Sequence, residues 1–384
     1  MFRILTSKCI SNGEIFQNEN FLVDGSRIVE RGDSFDLGNS RAEVLNLRGL
    51  TVMPGFIDIH IHGAMGYDVM DATYEALERI STYKIEEGCT SFCPSTITAP
   101  VDKTIAAVKN IRFAMDKGLG GAKVIGAFVE GPFINPKYKG AHPEEYILPV
   151  DLNLLEKFIA AGEGCITSMI IAPELPGAVP AIEVLVKNGI QVRLGHSSAS
   201  MEEVETALAA GASSAVHTFN AMSPLHHREP GMVGAVLTRP ELRGELICDM
   251  VHVHAKVCRL LIEAKGSGGV ALITDCMAAA GLPDGEFKLG ELYVQVNEGV
   301  SRLPDGTIAG STVTMLDCVK NLNTHVGLPL EKAVEMATST PAKLINKYDE
   351  IGSLELGKYA DIIAMDDDYN IRFVMAEGII KKFI

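Results

Sequence analysis

Eight short apolar runs, largely separated by amphipathic helical patterns, constrain this chain more than any other feature. They are "GFIDIHIHG" (55–63), "CTSFCPST" (89–96), "KVIGAFVEG" (123–131), "CITSMIIAPE" (165–174), "QVRLGHSS" (191–198), "SSAVHTFNA" (213–221), "ELICDMVHVH" (245–254) and "GVALITDCM" (269–277). Stretches such as "TYEALERISTYKIEEG" and "MEEVETALAAG" lie between them, with apolar residues at helical spacing. Strand and helix alternating eight times predict an α/β fold of the (β/α)8 TIM barrel type. A doubly wound sheet competes with that arrangement, but no GxGxxG follows the first strand.

The two ends of the chain differ from the middle. Residues 1–50 alternate short apolar runs with turn residues, as in "FRILTSKCI", "SNG" and "FLVDGSRIVE", and the last 30 residues do the same. Termini of a domain often lie close together. The prediction is a small β-sandwich domain built from 1–53 and 350–384, with the barrel spanning 54–349.

Charge and cysteine usage narrow the partners. With 49 acidic and 34 basic residues, the formal charge is -15, which disfavours nucleic acid as a partner. A small anionic substrate held by a few local cations remains compatible. No run is long and apolar enough for a membrane span, and the N-terminus lacks the apolar core of a secretory signal. The eight cysteines form no CxxC pair and mostly sit inside apolar runs. They read as buried thiols in a reducing compartment, so the expected location is the cytoplasm.

Barrel active sites form at the C-terminal ends of the strands. On this reading strand one ends with His60 and His62, which alternation places on one face. Strand three ends with Glu130, strand five with His196 and strand six with His217. Strand seven ends with His252 and His254, and strand eight with Asp275. Each has a bland explanation alone: a core histidine bonded to backbone, a loop carboxylate, a helix-start aspartate. Together His60, His62, His196, His217, Glu130 and Asp275 bring four imidazoles and two carboxylates to one barrel mouth. That donor mix suits one or two divalent ions of Zn, Fe, Mn or Co. Such an ion polarises a carbonyl and acidifies water. An aspartate beside that water can take its proton and pass it to a leaving amine, and Asp275 is the candidate. The chemistry is hydrolysis of an amide or a related bond.

Loops supply further candidates. "FINPKYKGAH" after strand three offers His142 as a substrate contact. "HTFNAMSPLHHREPG" after strand six offers Asn220, the backbone of Ala221, His226, His227 and Arg228. A guanidinium such as Arg228 pairs well with phosphate or carboxylate, although His227 and Arg228 also suit a solvated loop. In "AGSTVTM", small residues including Ser311 and Thr312 either let backbone approach a substrate or cap the next helix.

These stretches resemble the metal-dependent amidohydrolase superfamily, and within it the N-acetylglucosamine-6-phosphate deacetylases. The resemblance spans nearly the whole chain. It rests on "PGFIDIHIHG", "FVEGPFINPKYKGAH", "VHTFNAMSPLHHREPG", "ICDMVHVH", "LITDCMAAAG", "AGSTVTM" and "GSLELGKYADIIAMD". It implies removal of acetate from N-acetyl-D-glucosamine 6-phosphate. It implies a main metal on Glu130, His196 and His217, with Asp275 as acid/base. It places His142 and His252 on the sugar and amide, and Asn220, Ala221, His227 and Arg228 around the phosphate. It also implies a homodimer, in which the partner subunit can supply the phosphate-binding cation. Some family members lack the strand-one histidine pair and hold one metal. Here His60 and His62 permit a second ion, with Glu130 as the bridge and Asp275 completing that site. Lys123 starts strand three rather than ending it, so no lysine is placed to bridge. His254 has no assigned role.

Other readings stay open. Cyclic-amide hydrolases of the superfamily would not need Arg228. N-acetylgalactosamine 6-phosphate and unphosphorylated N-acetylglucosamine are nearer rivals. A catalytically inactive scaffold should have lost metal ligands that this chain retains.

Overall fold

The computed structural model describes residues 1–33 and 42–384, so the segment 34–41 of the expected terminal β domain lies outside the described residues. The barrel strands are β1 (Phe56–Ile61), β2 (Cys89–Thr96), β3 (Lys123–Val124 and Ala127–Val129), β4 (Ile166–Ile171), β5 (Gln191–Leu194), β6 (Ser214–Ala215), β7 (Arg243–Ile247) and β8 (Val270–Ile273). They pair in parallel in chain order. Helices α1 (Tyr74–Glu86), α2 (Val101–Lys117), α3 (Leu152–Gly162), α4 (Ala178–Lys187), α5 (Met201–Ala209), α6 (Gly231–Thr238), α7 (Ala255–Lys265) and α8 (Met315–Asn321) each follow the strand of the same number. The ring closes where Ile61 of β1 bridges Cys276 beyond β8. There Asp275 N–H donates to the His60 carbonyl at 2.9 Å, and His62 N–H to the Cys276 carbonyl at 2.8 Å. The fold is the (β/α)8 TIM barrel that the eight apolar runs predict.

Local chemistry explains the elements. Helix α5 starts at a capping box, in which Ser200 accepts from Glu203 N–H and the Glu203 side chain accepts from Ser200 N–H. Thr73 and Asp151 cap α1 and α3 in the same manner of side chain to backbone. The buried faces of these helices include Leu77 and Ile80 of α1 and Val204 of α5, which share one apolar core with the outer faces of the strands.

Strand β1 carries a one-residue bulge. Phe92 pairs with Asp58, but Pro94 pairs with Ile61, so three steps on β1 oppose two on β2. Before the bulge, Ile57 and Ile59 pack with Ile247 and Ile273, while Asp58 reaches Lys84 on α1 at 2.9 Å. After it, Ile61 joins the helix-facing core, and His60 and His62 turn to the barrel mouth. The extra residue therefore switches the parity of the strand just below the site.

The chain ends form two sheets. Arg27–Gly32, Asn20–Asp24, Phe2–Leu5 and Glu43–Asn46 make a four-stranded sheet in that order. Ile379–Phe383, Ile371–Ala376, Ile362–Met365, Thr51–Pro54, Lys8–Ser11 and Glu14–Gln17 make a six-stranded one. Ile4, Phe21, Val52, Ile362 and Phe373 bury a shared core drawn from both ends.

Three features depart from the sequence expectation. A three-stranded antiparallel sheet, Gly285–Leu289, Leu292–Asn297 and Val300–Arg302, follows β8. Its alternation in "EFKLGELYVQVNEGV" was a legible strand signal that the eight-run count passed over. Strand β7 stops at Ile247, so His252 and His254 lie in a loop rather than at a strand end. The cause is Asp249, whose Oδ1 accepts from Val251 N–H at 2.9 Å and His252 N–H at 2.8 Å and turns the chain. His254 is the N-cap of α7, accepting from Lys256 N–H at 3.2 Å.

Candidate metal centre and active site

Glu130, just past β3, is the hub of the barrel mouth. Its Oε1 lies 3.3 Å from His217 Nε2, 3.4 Å from His60 Nε2 and 3.6 Å from His196 Nε2. Its Oε2 lies 3.1 Å from His62 Nε2. Asp275 Oδ1 sits 3.2 Å from His62 Nε2 and 3.6 Å from His60 Nε2. All six residues are buried. Two donor sets thus share one carboxylate: Glu130 with His196 and His217, and His60 and His62 with Asp275.

Several observations fit this centre to a divalent ion. His196 Nε2 and His217 Nε2 approach to 3.1 Å, too close for two N–H groups to face each other. Around an ion bound at about 2.0–2.1 Å, tetrahedral donors lie roughly 3.3 Å apart, which is the spacing seen here. His60 Nε2 and Glu130 Oε1 are buried without a hydrogen-bond partner. His196 Nδ1 donates to the Tyr138 carbonyl at 2.8 Å, which leaves its Nε2 lone pair aimed at the centre.

His142 plays a different part. Its Nδ1 accepts from Thr98 N–H at 3.3 Å, so the ring hydrogen sits on Nε2 and points into the site. Burial and the neighbouring His196 push His142 down to about 4, which keeps it neutral. It can therefore donate to a ligand. Nε2 is 3.6 Å from Glu130 Oε2.

Electrostatics favour positive charge at the centre. Burial pushes His62 toward the neutral form, yet Asp275 and Glu130 outweigh it and hold its pKa up at about 9. Burial likewise raises Asp275, but His60 and His62 bring it down to about 2. The two carboxylates stabilise a cation between them, whether that charge is carried on imidazoles or by an ion.

A cavity of about 380 Å³ opens on this centre. His62, Glu130, His142, His196, His217 and Asp275 form its floor, with Asn220, Ala221 and His252 at the side and Ile97, Leu289 and Ile308 as apolar wall. Leu289 comes from the sheet that follows β8. His196, His217, Ala221 and Asp275 all have positive φ, at 46°, 23°, 49° and 50°. His196, His217 and Asp275 each lie two residues past a barrel strand, and Ala221 lies in the loop after β6, so this backbone conformation turns the chain where the strands give way to the cavity.

The amidohydrolase family model matches residues 51–381. The chain belongs to the amidohydrolase family. This amidohydrolase is 41% identical over 356 residues to the N-acetylglucosamine-6-phosphate deacetylase of Vibrio furnissii, covering 93% of this chain and 89% of that one. It is 38% identical over 330 residues to the N-acetylgalactosamine-6-phosphate deacetylase of Escherichia coli O157:H7, covering 86% and 87%. Among solved structures, N-acetyl-D-glucosamine-6-phosphate deacetylase of Mycobacterium smegmatis in complex with N-acetyl-D-glucosamine-6-phosphate superposes with a TM-score of 0.93 at 31% identity, covering 99% of this chain and 98% of that one.

The other predicted site residues of this amidohydrolase fall in different places. His252 lines the cavity, and its Nδ1 meets Asp249 Oδ2 at 2.6 Å. His227 and Arg228 are exposed, with Arg228 Nη1 2.7 Å from His227 Nε2, and neither lines the main cavity. Arg228 instead lines the neighbouring cleft with Ser198 and Ser223. Ser311 Oγ donates to the Thr274 carbonyl at 2.5 Å and Thr312 Oγ1 to the Gly299 carbonyl at 2.6 Å, so their hydroxyls are used within the fold. Gly310 lines the cavity in their stead, and Thr314 caps α8. Sequence reading passed over Thr98, Asp249, Arg193 and Glu245. A charged residue inside an apolar strand run, as in "QVRLG" and "GELIC", was the available signal.

Proposed function

We propose that this amidohydrolase removes acetate from N-acetyl-D-glucosamine 6-phosphate, leaving D-glucosamine 6-phosphate. The observation that carries the reading is the meeting of Glu130, His196 and His217 with Asp275 at the floor of one cavity. Glu130, His196 and His217 would hold one divalent ion of Zn, Fe, Mn or Co. His60 and His62, with Asp275 and Glu130, would hold another. The ion supplies a Lewis acid that polarises the amide carbonyl and makes water a nucleophile near neutral pH.

The chain's own residues do the rest. Asp275 takes the proton of the attacking water and delivers it to the departing amine. His142 offers Nε2–H and can donate to the acetamide as charge develops on its oxygen, while His252, its Nδ1–H held by Asp249, presents the Nε2 lone pair as an acceptor for a substrate N–H or O–H. Asn220 and Ala221, at the side of the cavity, would contact the substrate near its phosphate. His227 and Arg228 lie outside the cavity of their own chain. Their exposure supports a homodimer in which this pair reaches the phosphate held by the partner's cavity. The eight cysteines are buried and free, which supports a reducing, cytoplasmic setting.

The galactosamine epimer is the second reading, favoured by the 38% identical relative of that name. Comparing kcat/KM for the two 6-phosphates at equal metal loading tests the choice. A higher value for the glucosamine sugar supports the first reading, and the reverse replaces it.

A further inference from the structure

At the level of His60, the barrel interior holds a layer in which three of four side chains are polar, where apolar side chains normally pack. Its four members come from the odd strands: His60 of β1, Phe128 of β3, Arg193 of β5 and Glu245 of β7. All four are fully buried. Arg193 Nη1 donates to Glu245 Oε1 at 2.7 Å and to the Ile59 carbonyl at 3.0 Å. The Arg193 guanidinium lies 4.3 Å from the centre of the Phe128 ring, and that ring meets His60 edge-on at 4.7 Å. Glu245 Oε2 is 3.0 Å from His60 Nδ1 and accepts the backbone N–H of His217 at 3.4 Å.

A buried ion pair is a poor source of stability compared with well-packed apolar residues. Among the described residues, Glu245 is the only carboxylate in ion-pair range of Arg193. The pair therefore calls for a reason beyond packing, and the other oxygen of Glu245, Oε2, gives one. It binds the ring nitrogen of His60 that faces away from the centre. With the hydrogen fixed on Nδ1, the lone pair of Nε2 must point at Glu130 and Asp275, 3.4 and 3.6 Å away.

We propose that Glu245, held by Arg193, is a positioning residue that locks His60 in the Nδ1–H tautomer and so sets the affinity of the centre for the ion that His60 contacts. The inference rests on the metal reading above for its second half and on hydrogen-bond geometry alone for its first. Glu245 touches neither substrate nor ion.

Two readouts test it. In 15N-histidine-labelled apoprotein, taken to a pH alkaline enough for His60 to be neutral, its one ring hydrogen should sit on Nδ1, and Glu245→Gln should lose that single tautomer. In a chelator competition with zinc, Glu245→Gln should weaken the ion at His60 by about 10- to 100-fold, the usual effect of losing such a partner. The effect should vanish in a His60→Gln background. If Glu245→Gln fails to fold because Arg193 is left unpaired, the neutral pair Arg193→Met/Glu245→Gln is read by the same two criteria. Unchanged tautomer and unchanged zinc affinity overturn the proposal. So does an equal loss of affinity with His60 already replaced. A wild-type protein that binds no zinc overturns the metal reading and the affinity half of the proposal, while the tautomer result stands on its own.

Discussion

His62 Nε2 lies 3.2 Å from Asp275 Oδ1, and the two residues face each other across the seam that closes the barrel. That contact places the carboxylate beside the centre with little freedom. Asp275 N–H is tied to the His60 carbonyl, and the Asp275 carbonyl accepts from Ser311 N–H at 2.8 Å. Replacing Asp275 with Asn keeps this frame but removes the proton acceptor. Turnover is expected to fall at least about 100-fold, the usual weight of acid–base catalysis. Steady-state kinetics on protein with verified metal content check this, and near-normal turnover would rule out the assigned role.

Asp249 should matter through His252. One carboxylate oxygen turns the backbone and the other accepts the ring Nδ1–H at 2.6 Å. In Asp249→Asn the turn acceptor can persist, but the amide NH2 cannot accept that ring hydrogen. We expect kcat/KM to drop by about 10-fold or more, within the range for a disturbed catalytic imidazole, while thermal stability changes little. Retention of full kcat/KM would mean that His252 needs no such orientation.

The alternation rule foresaw that His60 and His62 share a face, and the structure brings both to Glu130. The same rule puts Asp58 with them, and there it fails, because the bulge in β1 sends Asp58 outward to Lys84. A bulge is set by how two strands pair, so one strand's sequence does not reveal it. The runs "VHTFNA" and "CDMVHVH" read as strand because they are apolar. Positive φ at His217, Phe219 and Met250, with the turn at Asp249, carries both runs out of the sheet. Arg193 and Glu245 stood out as charges in apolar runs, but their pairing with each other was not legible, because partners within a barrel layer follow from closure and register.

Lys84 ties α1 to β1. It is fully buried, and its Nζ meets Asp58 Oδ2 at 2.9 Å and also pairs with Glu87. Lys84→Met would leave two buried carboxylates without their cation. Breaking a buried pair in this way costs about 3–5 kcal/mol. The expected outcome is a marked fall in thermal midpoint by differential scanning fluorimetry. An unchanged midpoint would show that the carboxylates find relief elsewhere.

Asp361 predicts a pH effect away from the site. Burial pushes its carboxyl up to about 6, although it accepts Glu377 N–H at 2.7 Å and lies near Lys123. A carboxyl with a raised folded pKa binds its proton more tightly in the folded chain. Its contribution is therefore complete below the unfolded value of 3.8 and is lost as pH rises through about 6. Asp361→Asn should flatten the decline in thermal midpoint between pH of about 4 and about 6.5. Parallel curves for the two proteins would contradict this.

Acetate release is the most direct measurement. Metal-loaded protein is given N-acetylglucosamine 6-phosphate in one reaction and unphosphorylated N-acetylglucosamine in another. Strong release from the phosphorylated sugar, with little from the other, is the expected result. No release from either, with metal confirmed on the protein, would contradict the deacetylase reading.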